Sequence, residues 1–169
     1  MVFESERLFF REMTMSDYND LCEILQDKQV MYAYEHAFSD AEVKEWFERQ
    51  LTRYKEYGFG LWAAVLKENG KMIGNIGITM QKFGDLQVPE IGYLLNKNYW
   101  HKGYATEGAI ACRDYAFNVL KFDKVYSIIR DNNFPSQAVA KRNGMQLVGK
   151  EIKHYYNMDM PHLVYMTQV

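Results

Sequence analysis

The stretch EIGYLLNKNYWHKGYATEGA, Glu90 to Ala109, decides how the rest of the chain is read. Its first half alternates as a strand does and stops at Leu95. A short polar loop carrying Lys97, His101, Lys102 and Gly103 follows, and a helix starts at once. Free amides at a helix N-terminus, with a glycine allowing close approach, make an anion cradle, and Lys and His beside them add local positive charge. GK is not followed by Ser or Thr, so this is not a nucleoside-triphosphate P-loop, and the GxGxxG of a dinucleotide fold is missing. Read from spacing alone, a plain strand-to-helix turn carrying surface lysines accounts for the stretch equally well.

Working outward, Val88–Leu95 is predicted as a strand fed by a turn at Gly84-Asp85. Leu61–Leu66 and Lys71–Met80 form a hairpin around Asn69-Gly70, a pair that tolerates positive φ. Upstream, Ser39-Asp40-Ala41-Glu42 is a capping box opening a helix whose apolar stripe runs Val43, Trp46, Phe47, Gln50, Leu51 and Tyr54 and which Gly58 and Gly60 end. Arg7–Met13 reads as a first strand, followed by a helix capped by Ser16 and running to about Gln26. Downstream, Gly103 to about Leu120 is helical, with Ala105, Ala109, Cys112 and Ala116 on a small-residue face. Val125–Arg130 is a strand, Ser136–Asn143 a short helix stopped by Gly144, and Leu147–Lys153 and Leu163–Thr167 are final strands. The order predicts an α/β fold with a mixed sheet.

The chain has 169 residues, enough for one domain over 1–169. Its 20 Lys+Arg stand against 22 Asp+Glu, which argues against a general nucleic-acid binder. Cys22 and Cys112 lie far apart with no CxxC, as in a cytoplasmic protein with reduced thiols. His36, His154 and His162 show no ligand spacing, so no metal is expected. Neither a signal peptide nor a membrane helix is read from the sequence.

Three blocks resemble the GNAT superfamily of N-acetyltransferases, and within it the branch similar to the ribosomal-protein N-terminal acetyltransferases, the RimJ/RimL-like type. They are SERLFFREMTMSD (5–17), GYLLNKNYWHKGYATEGA (92–109) and DNNFPSQAVAKRNGMQLVG (131–149). The resemblance implies a GNAT-like acetyltransferase fold, a mixed and mostly antiparallel sheet of six or seven strands flanked by about four helices. It further implies acetyl-CoA as co-substrate, no metal, and a small-molecule or peptide amine as acceptor, with a homodimer allowed. The chain departs from the superfamily pattern at Trp100, where Gln or Arg is usual, at His101, often Gly in the branch, and at Met145, where Phe is typical. A tyrosine that serves many members as general acid falls at Ala140 here.

The roles implied by the resemblance are these. Tyr93, Leu94, Leu95, His101, Lys102, Gly103, Tyr104, Ala105 and Thr106 would hold the cofactor, with an amide near Leu94 or Leu95 on the thioester carbonyl. Asn133 would meet the pantetheine arm and Lys141 an adenosine-end phosphate. Glu90, on an apolar strand beside Gly92, is the candidate general base, since desolvation raises a carboxyl pKa toward neutrality. Ser136 is the candidate group for the departing thiolate. As plain structure, Glu90 would be an edge charge, Asn133 a turn residue and Ser136 a helix cap after Pro135. Cys112 is expected in the core, and Glu107 at the positive end of its helix is expected to be structural. The acidic stretch from Glu35 to Glu48 suggests a cationic amine or basic peptide end as acceptor. The rival functions are a non-catalytic acyl-CoA-binding or sensing domain and a nucleotide-phosphate binder.

Overall fold

A computed structural model describes every residue from Met1 to Val169. The chain runs β1 (Phe3–Glu4), β2 (Leu8–Arg11), α1 (Tyr18–Leu25), α2 (Asp40–Tyr57), β3 (Leu61–Leu66), β4 (Met72–Phe83) and β5 (Leu86–Leu95). It continues with α3 (Tyr104–Asn118), β6 (Lys124–Arg130), α4 (Phe134–Arg142), β7 (Gln146–Tyr155) and β8 (Met158–Gln168). One eight-stranded sheet has the order β1-β2-β3-β4-β5-β6-β8-β7, one strand more than the upper expectation. The extra strand is β1, two residues that pair with Phe10 and Phe9 and are too short to leave a periodic signal.

Every strand pairing is antiparallel except β5 with β6, and those two strands meet at one rung only, Glu90 opposite Tyr126. Beyond it they part. Two apolar cores flank the sheet. On one face Trp62, Ile76, Ile78, Ile91 and Ile129 pack with Ala109, Cys112 and Ala116 of α3 and Val139 and Ala140 of α4. On the other, Leu21, Ile24 and Leu25 of α1 and Val43, Trp46 and Phe47 of α2 cover Ala63, Val65 and Met72. Two separate cores arise because strands buried on both faces carry apolar residues at successive positions, as in LWAAVL.

Local chemistry sets the element ends. Ser39 accepts from the Glu42 amide at 3.2 Å while the Glu42 carboxylate accepts from the Ser39 amide at 3.1 Å, as the capping box predicts. Ser16, by contrast, does not cap α1. A single 3₁₀ turn (Met15–Asp17) precedes it, and buried Asp17 accepts the Thr14 amide at 2.8 Å and both arms of the Arg11 fork at 2.7 and 2.8 Å. That bidentate ion pair out-competes a serine hydroxyl for control of the helix entry. At Asn69-Gly70 only Gly70 has positive φ, and the Asn69 side chain instead accepts the Lys71 amide at 2.9 Å. α4 begins two residues earlier than the sequence suggested, because Asn133 rather than Ser136 is its cap: Asn133 Oδ1 accepts the Ser136 amide at 3.3 Å.

Candidate active site

The loop and the helix start fall where expected, and the loop's shape is set by two left-handed residues. Gly103, the N-cap of α3, has φ +81°, and His101 has φ +61°. The second value explains why glycine suits position 101: an L-residue there adopts a conformation it rarely takes unforced. None of the amides from Gly103 to Thr106 donates to a protein acceptor; the first that does is Glu107, to the Gly103 carbonyl at 3.0 Å. These are the orphan donors of a helix start, aimed at one point with the positive end of the helix dipole behind them. His101, Lys102 and Gly103 are exposed, and Tyr104, Ala105 and Thr106 are half-buried.

The loop is pinned from a distance by residues at the start of the chain. Glu107 accepts from the Ser5 hydroxyl at 2.6 Å, the Arg7 amide at 2.7 Å and Arg7 Nε at 2.7 Å. Arg7 Nη1 also reaches the Lys102 carbonyl at 2.9 Å, and its guanidinium lies 4.1 Å over the Tyr104 ring. Burial opposes the Glu107 charge, but the Ser5 and Arg7 donors outweigh it and hold the carboxyl below its ordinary range. Glu107 is therefore a structural pin, as anticipated, while the role of Arg7 was not visible in the sequence.

Trp100, the departure from the superfamily pattern, ties the loop to the strand: its indole N–H donates to the Leu95 carbonyl at 3.0 Å. Strand parity then decides which β5 amides are free. Asn96 donates to the Ile73 carbonyl at 2.8 Å, and the β4–β5 register is unbroken from Leu95 to Leu86. Residues 90, 92 and 94 thus point their amides at β4, and Tyr93 and Leu95 point theirs at the gap left by β6. The expectation of an exposed amide at Leu94 or Leu95 resolves to Leu95, with Tyr93 beside it; Leu94 is committed to β4.

The two faces of the gap carry different chemistry. On the α3/α4 side the Tyr93 hydroxyl donates to the Ser136 carbonyl at 2.7 Å, which seats the start of α4 against the parted strand. Ser136 is half-buried and its hydroxyl has no protein partner. Asn133 Oδ1 also accepts from the Tyr32 hydroxyl at 2.9 Å, leaving the Asn133 amide nitrogen as its free donor. Ala140 is 1% exposed in the core, so no hydroxyl projects from that turn. Lys141 is exposed near the far end of α4, about 12 Å along the helix from Asn133. Cys112 is fully buried among the alanines, and burial pushes its thiol well up, out of nucleophilic range.

On the α1/α2 side lies Glu90. Its carboxyl is half-buried and is pushed up to about 7: desolvation is the largest cause, opposed by Lys153, the Ile128 amide and Arg53, and assisted by Glu151. Next to it, a Cβ on Gly92 would lie 3.5 Å from Leu61 Cδ2 and 3.8 Å from Glu90 Oε1, so the glycine keeps the floor beside the carboxylate open. Tyr34 hangs over this side. Its ring is 44% exposed, and desolvation followed by the charge of Glu90 holds its hydroxyl neutral. Glu90 and Ser136 therefore sit on opposite faces of the sheet with the β5–β6 gap between them. Tyr34, Arg53 and Lys153 were missed because only the fold brings the turn at Tyr32–Tyr34, α2 and β7 toward Glu90. No group of three or more His, Cys, Asp or Glu side chains is placed to hold a metal, and no helix is long and apolar enough to cross a membrane.

Residues 7–146 match the acetyltransferase (GNAT) domain family, and the chain belongs to that family of acetyltransferases, whose members use acetyl-CoA as co-substrate. Protein YkkB of Bacillus subtilis (strain 168) is 35% identical over 142 residues, 83% of this chain and 83% of the relative. An acetyltransferase structure from Agrobacterium tumefaciens str. C58 superposes with a TM-score of 0.84 at 27% identity, covering 99% of this chain and 94% of that one. A ribosomal-protein-S5-alanine acetyltransferase from Vibrio fischeri shares the fold at TM-score 0.76 and 21% identity, over 98% of this chain and 95% of that one.

Proposed function

We propose that residues 1–169 form a single N-acetyltransferase domain that moves an acetyl group from acetyl-CoA to a primary amine by direct attack. The observation that carries this reading is one continuous path. Unpartnered amides at Gly103–Thr106 lead to the Tyr93 and Leu95 amides that face the gap along the parted strand, and the path ends beside a carboxyl poised near neutrality. The amides from His101 to Thr106, with Lys102 alongside, receive the diphosphate. Lys141 meets a phosphate at the adenosine end, and the Asn133 amide meets the pantetheine arm. When bound, the thioester supplies an activated acetyl carbon. Leu95 N–H, aided by Tyr93 N–H, polarises its carbonyl.

Glu90 takes one proton from the acceptor ammonium, directly or through water. The C–N bond forms as the C–S bond breaks, and the nitrogen's second proton passes through water to the departing thiolate. The Ser136 hydroxyl donates a hydrogen bond to the departing sulfur, standing where Ala140 supplies no acid. Because the buried Cys112 is held protonated, no acetyl-enzyme is formed. Likeness in fold to the Vibrio fischeri enzyme and the sequence blocks quoted above favour the RimJ/RimL-like branch, and the two reduced cysteines suit a cytoplasmic protein.

Incubation with acetyl-CoA and mixed amines, read by thiol release and mass spectrometry, tests the proposal. Amine-dependent thiol release is expected. Tight CoA binding with no release under any amine would instead identify a non-catalytic acyl-CoA sensor.

A further inference from the structure

The charges around Glu90 are not those the sequence advertises. Three carboxylates of the acidic run in α2 and the segment before it are already paired. Glu35 pairs with Arg130, Glu42 pairs with His36 at 2.8 Å, and Glu45 pairs with Arg49 at 3.1 Å. Asp40 accepts from Gln26 Nε2 at 2.8 Å. Glu35, Glu42 and Glu45 thus have partners of their own, which leaves less of the run facing a cationic acceptor than its composition suggests.

Two cations on facing elements are left over. Arg53, half-buried on α2, has no carboxylate partner; its nearest acceptor is the neutral Gln50 Oε1 at 3.3 Å. Lys153, half-buried on β7, makes no ion pair. The floor from α2 to the base is continuous. Arg53 Cβ lies 3.5 Å from where a Gly60 Cβ would be, and the next residue, Leu61, borders Gly92, whose other neighbour is the Glu90 carboxyl. From the other side β7 folds over the same face: a Cβ on Gly149 would meet the Phe83 ring at 2.9 Å, and Phe83 shares its face of β4 with Thr79, the register partner of Glu90. Both cations act on the Glu90 charge. One anion in the same cleft is also unspent: Glu151 Oε2 is buried without a hydrogen-bond partner.

A cleft with two unpaired cations and two available carboxylates fits a molecule bearing both signs. Resting on the acetyl-transfer reading above, we infer that the acceptor is a zwitterionic amine of the α-amino-acid type. Arg53 and Lys153 hold its carboxylate, while Glu90 and the free oxygen of Glu151 receive its ammonium. A carboxylate at Arg53 satisfies a guanidinium that otherwise faces only an amide oxygen, and charge-assisted bonds of this kind are the strong ones. A polyamine would instead place a second positive charge against Arg53 and Lys153, and the repulsion rejects it.

The test measures kcat/KM for the standard α-amino acids, for their primary amides and for spermidine. Binding of the same probes to the enzyme saturated with CoA is followed by calorimetry. At least one free amino acid is expected to exceed its own amide by tenfold or more. Arg53→Gln and Lys153→Gln should each shrink that ratio at least threefold by raising the acceptor KM, with Arg53→Lys keeping more of it than Arg53→Gln. Amides or spermidine acetylated as well as the amino acids would overturn the inference and leave the transferase reading standing. So would acetylation confined to peptides. Selective binding of amino acids with no acetyl transfer would do the reverse, and a lack of both binding and transfer would overturn the inference.

Discussion

Replacing Glu90 with glutamine should make the protein more stable and less active, and the two effects should share one pH dependence. The ordinary pKa of 4.5 is pushed up to about 7 in the folded chain. Between those values the folded state holds a proton that the unfolded state has released, so the stability Glu90 lends is full below pH 4.5 and is lost as pH rises through 7. At about 1.4 kcal/mol per pH unit, ionised Glu90 costs the fold at most about 3.5 kcal/mol, and water in the half-buried cleft brings this to about 1–3 kcal/mol. Urea melts of the CoA-free proteins should therefore coincide near pH 4.5. At pH 8 the Glu90→Gln variant should be more stable by about 1–3 kcal/mol. Its kcat should fall by about 10²-fold, the usual size for losing a general base. In the parent protein kcat/KM should rise through pH 7 as Glu90 ionises. If the variant gains nothing at pH 8 and keeps an unshifted pH–rate profile, the carboxyl is an ordinary one and the proton leaves by another route.

Gly103→Val puts a β-branched residue at φ +81°, a strain of about 1–2 kcal/mol. CoA titrated by calorimetry should bind at least tenfold more weakly, and unchanged affinity would remove the phosphate cradle from this loop. Cys112→Ala should cost about 1 kcal/mol of packing in a thermal melt while mass spectra of enzyme plus acetyl-CoA show no acetylated protein in either form. An acetyl group on Cys112 would contradict direct attack. Ser136→Ala should lower kcat by about threefold to tenfold, since one hydrogen bond is removed and no proton donor.

The strand-loop-helix unit around Glu90–Ala109 was legible because its signals are local: alternation, a glycine, a helix start. The Ser39 capping box was legible for the same reason. Ser16 misled because its competitor, the Arg11–Asp17 fork, depends on where β2 delivers an arginine. The pin that Ser5 and Arg7 place on Glu107 joins residues about 100 apart, and no period in the sequence encodes such a contact. Strand parity was likewise invisible: whether Leu94 or Leu95 faces the gap follows from a register fixed by one bond, Asn96 to Ile73. The charge around Glu90 was the least legible of all. Composition counts acids and bases, whereas recognition depends on which of them the fold has already paired, and Glu35 met Arg130 while Arg53 met no carboxylate.

That β5 and β6 share a single rung has a mechanical meaning. The sheet is two rafts, β1 to β5 and β6 to β8, moored at Glu90 and Tyr126. On the proposed reading, the pantetheine arm lying along the open edge would stand in for the strand that is not there, and the substrate would complete the framework that holds it. Product departure would then unzip what arrival had closed, once in every turnover. A sheet sealed with a full ladder at this seam would be sturdier and would have nowhere to do its chemistry.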